Sequence, residues 1–140
     1  MERRAKLVVL AIFLILICVV AIVAFFLQKS SSLPDFLVYD VEGELREQRY
    51  MTNFLLSFDI ENNGTANASN IIGTVKFYKG EKWRSTVWLL NKQENLLEVG
   101  EKCSGCYAII TGYANVPSKN YLITVSCDEG VLREFNVTIP

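Results

Sequence analysis

The residues best suited to covalent chemistry are three cysteines in the C-terminal part of the chain, Cys103, Cys106 and Cys127. The first two form a C-x-x-C motif, a pattern shared by redox enzymes and zinc sites. The redox motif normally opens a helix in a βαβ unit, and the surrounding pattern indicates no such unit. A four-ligand zinc site would need histidines or a second C-x-x-C, and the sequence has neither. We therefore predict a structural disulfide and no metal site.

The cysteine pairing depends on how two apolar segments, residues 106–113 and 121–127, are arranged. If they form an antiparallel hairpin, one register aligns their apolar residues on a single face and places Cys106 opposite Cys127. This register predicts a Cys106–Cys127 disulfide. Cys103–Cys127 and Cys103–Cys106 are the alternatives, because connectivity does not follow from sequence alone.

The absence of histidine limits the enzyme classes that this chain could belong to. Histidine is the usual general base near neutral pH, so neither a Ser-His-Asp triad nor a Cys-His pair can form. Among the acidic residues only Asp59 stands in a clearly apolar run, and the alternation of that run turns its side chain away from the core. We expect a non-enzymatic protein with no catalytic residue and no cofactor.

Acidic residues near the C-terminus are the remaining candidates for a cation site. Asp128, Glu129 and Glu134 could offer oxygen atoms to Ca²⁺. A calcium site needs six or more such ligands, however, and acidic residues are common in solvated turns. We interpret Asp128 and Glu129 as part of a solvated turn, with Glu134 on the strand beyond it.

Three N-x-[ST] triplets could accept N-linked glycans, beginning at Asn63, Asn67 and Asn136. The first two fall in a predicted turn, and the third falls on the outward face of the last predicted strand. They are candidate glycosylation sites if this part of the chain is exported. The alternative is that Asn, Ser and Thr are simply the residues that turns and solvent-exposed faces use.

Aromatic residues could form a binding surface. Trp83 and Trp88 are five positions apart in one predicted strand, so they lie on opposite faces and one of them is expected in the core. The other could join Tyr78 or Tyr113 in an exposed patch that binds a sugar or a protein. The candidate patch is therefore Trp83, Trp88 and Tyr78, and the commoner alternative is that these rings only cover the sheet.

The elements that would position these residues are strands. From Phe36 onward apolar residues recur at every second position, and Asn- and Gly-rich turns separate the runs. Residues 44–50 are ambiguous and could extend the first hairpin. Seven strands at this spacing predict an all-β antiparallel β-sandwich. The predicted strands are 36–41, 54–60, 74–78, 82–90, 106–113, 121–127 and 131–139.

The segment 54–78 resembles the start of CARDB-type immunoglobulin-like domains, which are adhesion-related modules of bacterial and archaeal surface proteins. Two later segments resemble the family's turn and a later strand, although Val99 stands where proline is usual. The resemblance covers residues 36–139 and implies an immunoglobulin-like sandwich for adhesion or scaffolding, without a catalytic residue. The matching residues are Phe54, Phe58, Asn63, Gly64, Ala66, Ala68, Ile71, Val75, Phe77, Tyr78, Leu97, Gly100, Glu101, Tyr121 and Asp128.

The N-terminal segment Leu7–Leu27 contains no charged residue and would span roughly 30 Å as a helix, the thickness of a hydrocarbon core. A signal peptide has an apolar region of only about 7–15 residues and then a small-residue cleavage site. The longer run here, followed by a polar sequence without a clear A-x-A site, favours a retained anchor over a cleaved signal. Three basic residues precede the span and only Lys29 closely follows it, so the N-terminus is expected in the cytoplasm. We predict a cytoplasmic tail at 1–6, a transmembrane helix at 7–27, a linker at 28–35 and an outer domain at 36–140.

The charge of the outer domain and its predicted location limit the classes of partner that the chain is expected to bind. Beyond Lys29 the chain carries 10 lysines and arginines against 14 acidic residues, which disfavours nucleic acid. The oxidising outside of a cell favours a disulfide. The expected partners are the lipid bilayer, through the helix, and an unidentified protein or glycan.

These patterns predict a non-enzymatic module for adhesion, binding or envelope scaffolding, anchored in the cell membrane. The alternative is a subunit of an archaeal type IV pilin-like filament, whose apolar helices bundle into a fibre core after a basic leader is removed. Residues 2–6 resemble such a leader, although Lys6 stands where an apolar or Gln-like residue is expected.

Overall fold

The computed structural model describes residues 2–30, 32–79, 81–111 and 119–139. The chain divides into two compact units, Met1–Ser32 and Leu33–Pro140. The first is a helix and the second is a β domain, here called the head.

Helix α1 comprises Glu2–Ser30. Its segment Arg4–Leu27 is long and apolar enough to cross a membrane, as a membrane anchor or a signal sequence would be, and its side chains are exposed. The predicted apolar span is thus helical. The helix continues three residues beyond that span, because nothing before Pro34 interrupts it.

The head contains nine strands in the described residues, seven of them in one antiparallel sheet and two in a small ladder. The sheet order is β1-β2-β7-β5-β4-β8-β9, and β3 pairs with β6. The ambiguous residues 44–50 do extend the first hairpin. The strands are β1 Phe36–Gln48, β2 Met51–Asn62, β3 Ala68–Ser69, β4 Thr74–Lys79, β5 Lys82–Leu89, β6 Leu96–Leu97, β7 Lys102–Thr111, β8 Asn120–Ser126 and β9 Leu132–Thr138.

The sheet curls until its two halves face each other. The rings of Phe54 on β2 and Tyr121 on β8 stack with their centroids 5.9 Å apart, which places β2 opposite β8 across the core. Strand β5 pairs with β4 over six residues and with β7 over only two, so the layers are β1, β2 and β7 on one side and β5, β4, β8 and β9 on the other. Two antiparallel layers packed around a common core form a β-sandwich. The predicted all-β sandwich with an N-terminal helix is confirmed.

The core lies between these halves and follows the predicted alternation. Every second residue of β2 from Phe54 to Asn62 is buried, and the residues between them are partly exposed. The predicted inward faces of β4 and of the C-terminal strand also contribute to the core. Burial of these side chains supplies the main stabilisation, because removing apolar area from water is worth about 25 cal/mol per Å².

The predicted hairpin between residues 106–113 and 121–127 is wrong. Strand β7 pairs with β2 and β5, whereas β8 pairs with β4 and β9. The chain crosses from one layer to the other between β7 and β8, as in a Greek key, so their apolar faces meet across the core. Alternation alone does not distinguish a facing strand from a paired one. Tyr113 and the rest of 112–118 lie outside the described residues.

Candidate functional site

The C-x-x-C motif lies on a β-bulge of β7. Cys106 pairs with Phe58 of β2 and Cys103 pairs with Ile60, so two residues of β7 oppose one residue of β2. Gly105 takes a φ of 70°, which a glycine adopts without steric cost. The extra residue turns both cysteines into the core, with their Sγ atoms 3.6 Å apart and both thiols free.

Asp59 holds this bulge from the opposite strand. Its carboxylate accepts hydrogen bonds from the Gly105 amide at 3.0 Å and the Ser104 hydroxyl at 3.1 Å, and Lys102 Nζ lies 2.8 Å away. The Lys102 bond, followed by those of the bulge, keeps the pKa of Asp59 below its usual value against the effect of burial. The Asp59 bond also raises the pKa of Lys102 to about 12. The predicted outward orientation of Asp59 is confirmed, and its role is structural.

The environment of the cysteine pair disfavours the thiolate form of Cys106. Burial raises the pKa of Cys106 to about 12, whereas reactive thiols have lowered values. The register that predicted a Cys106–Cys127 disulfide does not occur, because Cys106 faces Phe58. The structure brings Cys106 next to Cys103, which was the third of the sequence-based alternatives. Cys127 follows the end of β8 and packs against the core edge.

The turn at Asp128 and Glu129 fastens the β8–β9 connection to the small ladder. The Glu129 carboxylate accepts hydrogen bonds from the amide and the hydroxyl of Ser69, and Asn70 donates to Asp128. Burial alone would raise the pKa of Glu129, but the Ser69 bonds outweigh it and lower the pKa to about 2. These carboxylates therefore tie two turns together, which agrees with the interpretation of a turn.

Sequence reasoning missed the role of Asn62, which is fully buried at the end of β2. Its Nδ2 donates to the carbonyls of Ala66 and Leu97, at 2.8 and 3.0 Å. Its Oδ1 accepts from the amides of Asp35 and Gly64, at 3.3 and 3.1 Å. One side chain thus joins the linker, the turn after β2 and the ladder. The signal available was its position in the core-facing alternation of β2.

The two tryptophans lie on opposite faces of β5, as predicted. Trp88 is the core residue: its ring contacts Phe58 edge-on at 5.3 Å and its Nε1 donates to the Thr124 carbonyl at 2.8 Å. The adjacent Gly73 leaves room for this ring, because a Cβ there would collide with the Thr124 carbonyl and with Trp88. Trp88 is therefore not part of an exposed patch, and the three-residue patch is wrong in that member.

Trp83 and Tyr78 form an exposed aromatic pair at the β4–β5 hairpin. The two residues are directly opposite each other across the hairpin, with ring centroids 4.1 Å apart. Trp83 is 56% exposed and Tyr78 is 44% exposed. Beside them a shallow depression is lined by Lys76, Trp83, Arg84, Ser85 and Leu122. This surface combines aromatic faces with two cations, a chemistry suited to a sugar ring or an anionic group.

All three candidate glycosylation asparagines are exposed. Asn63 and Asn67 lie in the turn after β2, where Asn67 Oδ1 accepts a hydrogen bond from the Val99 amide at 3.1 Å. Asn136 lies on the outer face of β9, opposite Leu122. Glycan addition at these positions stays a prediction.

Comparison with known proteins adds no relative: the sequence matches no protein-family model, and no curated protein is similar to it.

Proposed function

We propose that this chain is a non-enzymatic binding module, held in the cell membrane by α1, with its immunoglobulin-like head outside the cell. The observation that carries the proposal is the exposed Tyr78–Trp83 pair. Exposed aromatic rings beside cations offer both apolar faces and positive charge to a partner, and tyrosine and tryptophan are enriched at binding surfaces. The cysteine, Asp59 and Glu129 groups are committed to the fold, so the aromatic pair is the surface best placed to bind.

The anchor follows from the composition of the helix and its flanks. The uncharged segment Leu7–Leu27 exceeds the apolar region of a signal peptide, and a polar sequence without a small-residue cleavage site follows it. Basic residues at its N-terminal side favour a cytoplasmic N-terminus. The resemblance to CARDB-type domains supports adhesion or envelope scaffolding as the broader role.

A second candidate, the filament subunit, is favoured by one feature of α1. The helix is apolar around its whole circumference, and its apolar side chains are exposed. Such a helix can be buried by a bilayer or by a bundle of identical helices. The two functions differ in whether a short N-terminal leader is removed.

Two measurements test the proposal. The intact mass of the membrane-extracted protein identifies its N-terminus: a chain retaining residues 2–6 supports the anchor. A chain beginning at Lys6 or Leu7 would support the filament, and one beginning after Leu27 would indicate a cleaved signal.

Protease treatment of intact cells then locates the head. Digestion of the head in intact cells, with protection in inside-out vesicles, is the expected result. The reverse pattern would place the head in the cytoplasm and overturn the proposal.

A further inference from the structure

The head has two ends that the strand registers define. The linker end is where Leu33–Phe36 enters, at the rung that pairs Phe36 with Asn62. The far end contains the β1–β2 turn, the β4–β5 turn and the first residues of β8, because antiparallel pairing carries all of them to the same side. The exposed Tyr78–Trp83 pair lies at the far end.

The charges of the head are separated between these ends. The far end, residues 46–53, 76–85 and 119–122, contains seven lysines and arginines and two acidic residues. The rest of the head contains three lysines and arginines and twelve acidic residues. An acidic domain therefore presents one strongly basic end, a distribution that overall net charge conceals.

The lysines and arginines at the two ends differ in whether they form ion pairs. All three at the linker end form ion pairs: Lys92 with Glu101, Lys102 with Asp59, and Arg133 with Asp35. Among the far-end cations whose side chains are described, only Arg46 has an ion-pair partner, Glu44.

Lys76 lies on the same face of the hairpin as the aromatic pair, and Arg84, which follows Trp83 on the other face, lines the depression beside Trp83. Both are exposed and form no ion pair with any described residue. The far end thus offers unpaired positive charge and exposed ring faces within one hairpin. No described residue forms an ion pair that would offset the repulsion between Lys76 and Arg84. A negatively charged ligand would relieve this repulsion.

We propose that the far end of the head binds an acidic polysaccharide, with Tyr78 and Trp83 stacking on sugar rings and Lys76 and Arg84 pairing with carboxylates of the polymer. This inference rests on the proposed binding function and names its ligand class. A polysaccharide suits the site because tilted, adjacent rings offer apolar faces to sugar rings, and the flanking cations supply charge recognition. The ligand's negative charge also explains why the basic residues collect at the end remote from the linker.

The test uses the full-length chain in nanodiscs of phosphatidylcholine, a lipid without net charge. The probe is an alginate oligosaccharide, which is a polyuronate. Neutral dextran and oligo(dT) of similar length serve as comparison ligands. We expect alginate to bind more tightly than either, and its affinity to fall as salt is raised.

Two variants test whether alginate binds at the far end. Trp83→Ala should weaken alginate binding roughly three- to tenfold, the scale of one aromatic contact. The double variant Lys76→Ala/Arg84→Ala should weaken it about fivefold and reduce its salt dependence.

The matched control is Val99→Glu/Leu132→Glu, which changes net charge by the same two units. Both residues are exposed and lie at the linker end. This control should change alginate affinity by less than about twofold, because the added charges lie beyond the screening distance from the site.

Each outcome decides the proposal. Loss of alginate binding in the far-end variants alone supports it. Equal binding of dextran, insensitive to Lys76→Ala/Arg84→Ala, would overturn the acidic class and leave a neutral-sugar module. Preference for oligo(dT) would make the occupant a nucleic acid, and absence of alginate binding would overturn the inference. Protease accessibility of the head tests the proposed location separately.

Discussion

The linker end and the far end of the head differ in how their polar side chains are used. At the linker end, Asn62, Asp59 and Glu129 each accept or donate several hydrogen bonds within the head. At the far end, the Tyr78–Trp83 pair, Lys76 and Arg84 face solvent. The first group fixes turns and a bulge, and the second group is available to a partner.

The comparison teaches that residue type alone does not identify a functional group. Cysteines and carboxylates carry most of the reactive chemistry in this sequence, yet here burial and hydrogen bonds commit them to structure. The aromatic and basic residues of one hairpin, which are less reactive, form the accessible surface. Substitutions that should damage only one of the two ends can test this division.

The largest effect is expected from the matched pair Trp88→Ala and Trp83→Ala. Loss of the buried Trp88 ring should reduce the free energy of unfolding by about 3–5 kcal/mol, because it leaves a cavity and an unpaired Thr124 carbonyl. Loss of the exposed Trp83 ring should cost less than about 1 kcal/mol. Urea unfolding of the detergent-solubilised chain, followed by circular dichroism, measures both. Equal losses would contradict the assignment of Trp88 to the core and of Trp83 to the exposed surface.

The next effect concerns the buried amide at the linker end. Asn62→Ala leaves two carbonyls and two amides without their partner, and should reduce the free energy of unfolding by about 2–4 kcal/mol. Its neighbour Asn63 is exposed, so Asn63→Ala should change stability by less than about 0.5 kcal/mol. Urea midpoints of both variants, expressed without glycosylation, provide the measurement. A small loss in Asn62→Ala would show that water replaces its bonds.

A smaller effect is expected from oxidation of the cysteine pair. Glutathione disulfide should accept two electrons and two protons from Cys103 and Cys106 as they form a bond, lowering the protein mass by 2 Da. Closing so short a loop should raise the free energy of unfolding by about 2 kcal/mol. Mass spectrometry of peptides identifies the pair, and Cys127→Ser is the control that should leave it intact. A Cys106–Cys127 crosslink would instead support the original sequence-based pairing.

The smallest effect is the pH dependence of the turn at Glu129. Its folded pKa of about 2 lies below the usual 4.5, so its stabilisation is present above pH 4.5 and is lost as the pH falls toward 2. Glu129→Gln should therefore cost about 1 kcal/mol or less at pH 7, since this carboxylate is exposed, and less at pH 2, where about half of the Glu129 side chains are protonated. Unfolding free energies across this range check the difference. Glu134→Gln, which removes an exposed carboxylate on β9, is the control for the loss of one negative charge from the head.

Much of the fold was predictable from local pattern. Uninterrupted apolarity identified the helix, and period-two alternation identified the core faces of β2, β4 and β9. The parity of Trp83 and Trp88 placed one of them inside. These features depend only on neighbouring positions in the chain, because the period of a helix or strand fixes which side chains share a face. The candidate aromatic patch was therefore correct in two of its three members.

The remaining features depend on which segments meet. The sequence by itself determined an apolar helix followed by an all-β domain, because hydrophobic periodicity specifies which face of a strand is buried. Only the tertiary structure decided that β7 pairs with β2, that a bulge brings Cys103 to Cys106, and that seven basic residues share one end. Hydrophobic periodicity predicts that one face of a strand is buried. It does not predict whether the burying residues belong to a hydrogen-bonded neighbour or to a strand of the opposite layer. That choice is made by the crossover between the two layers, through contacts between residues far apart in the chain.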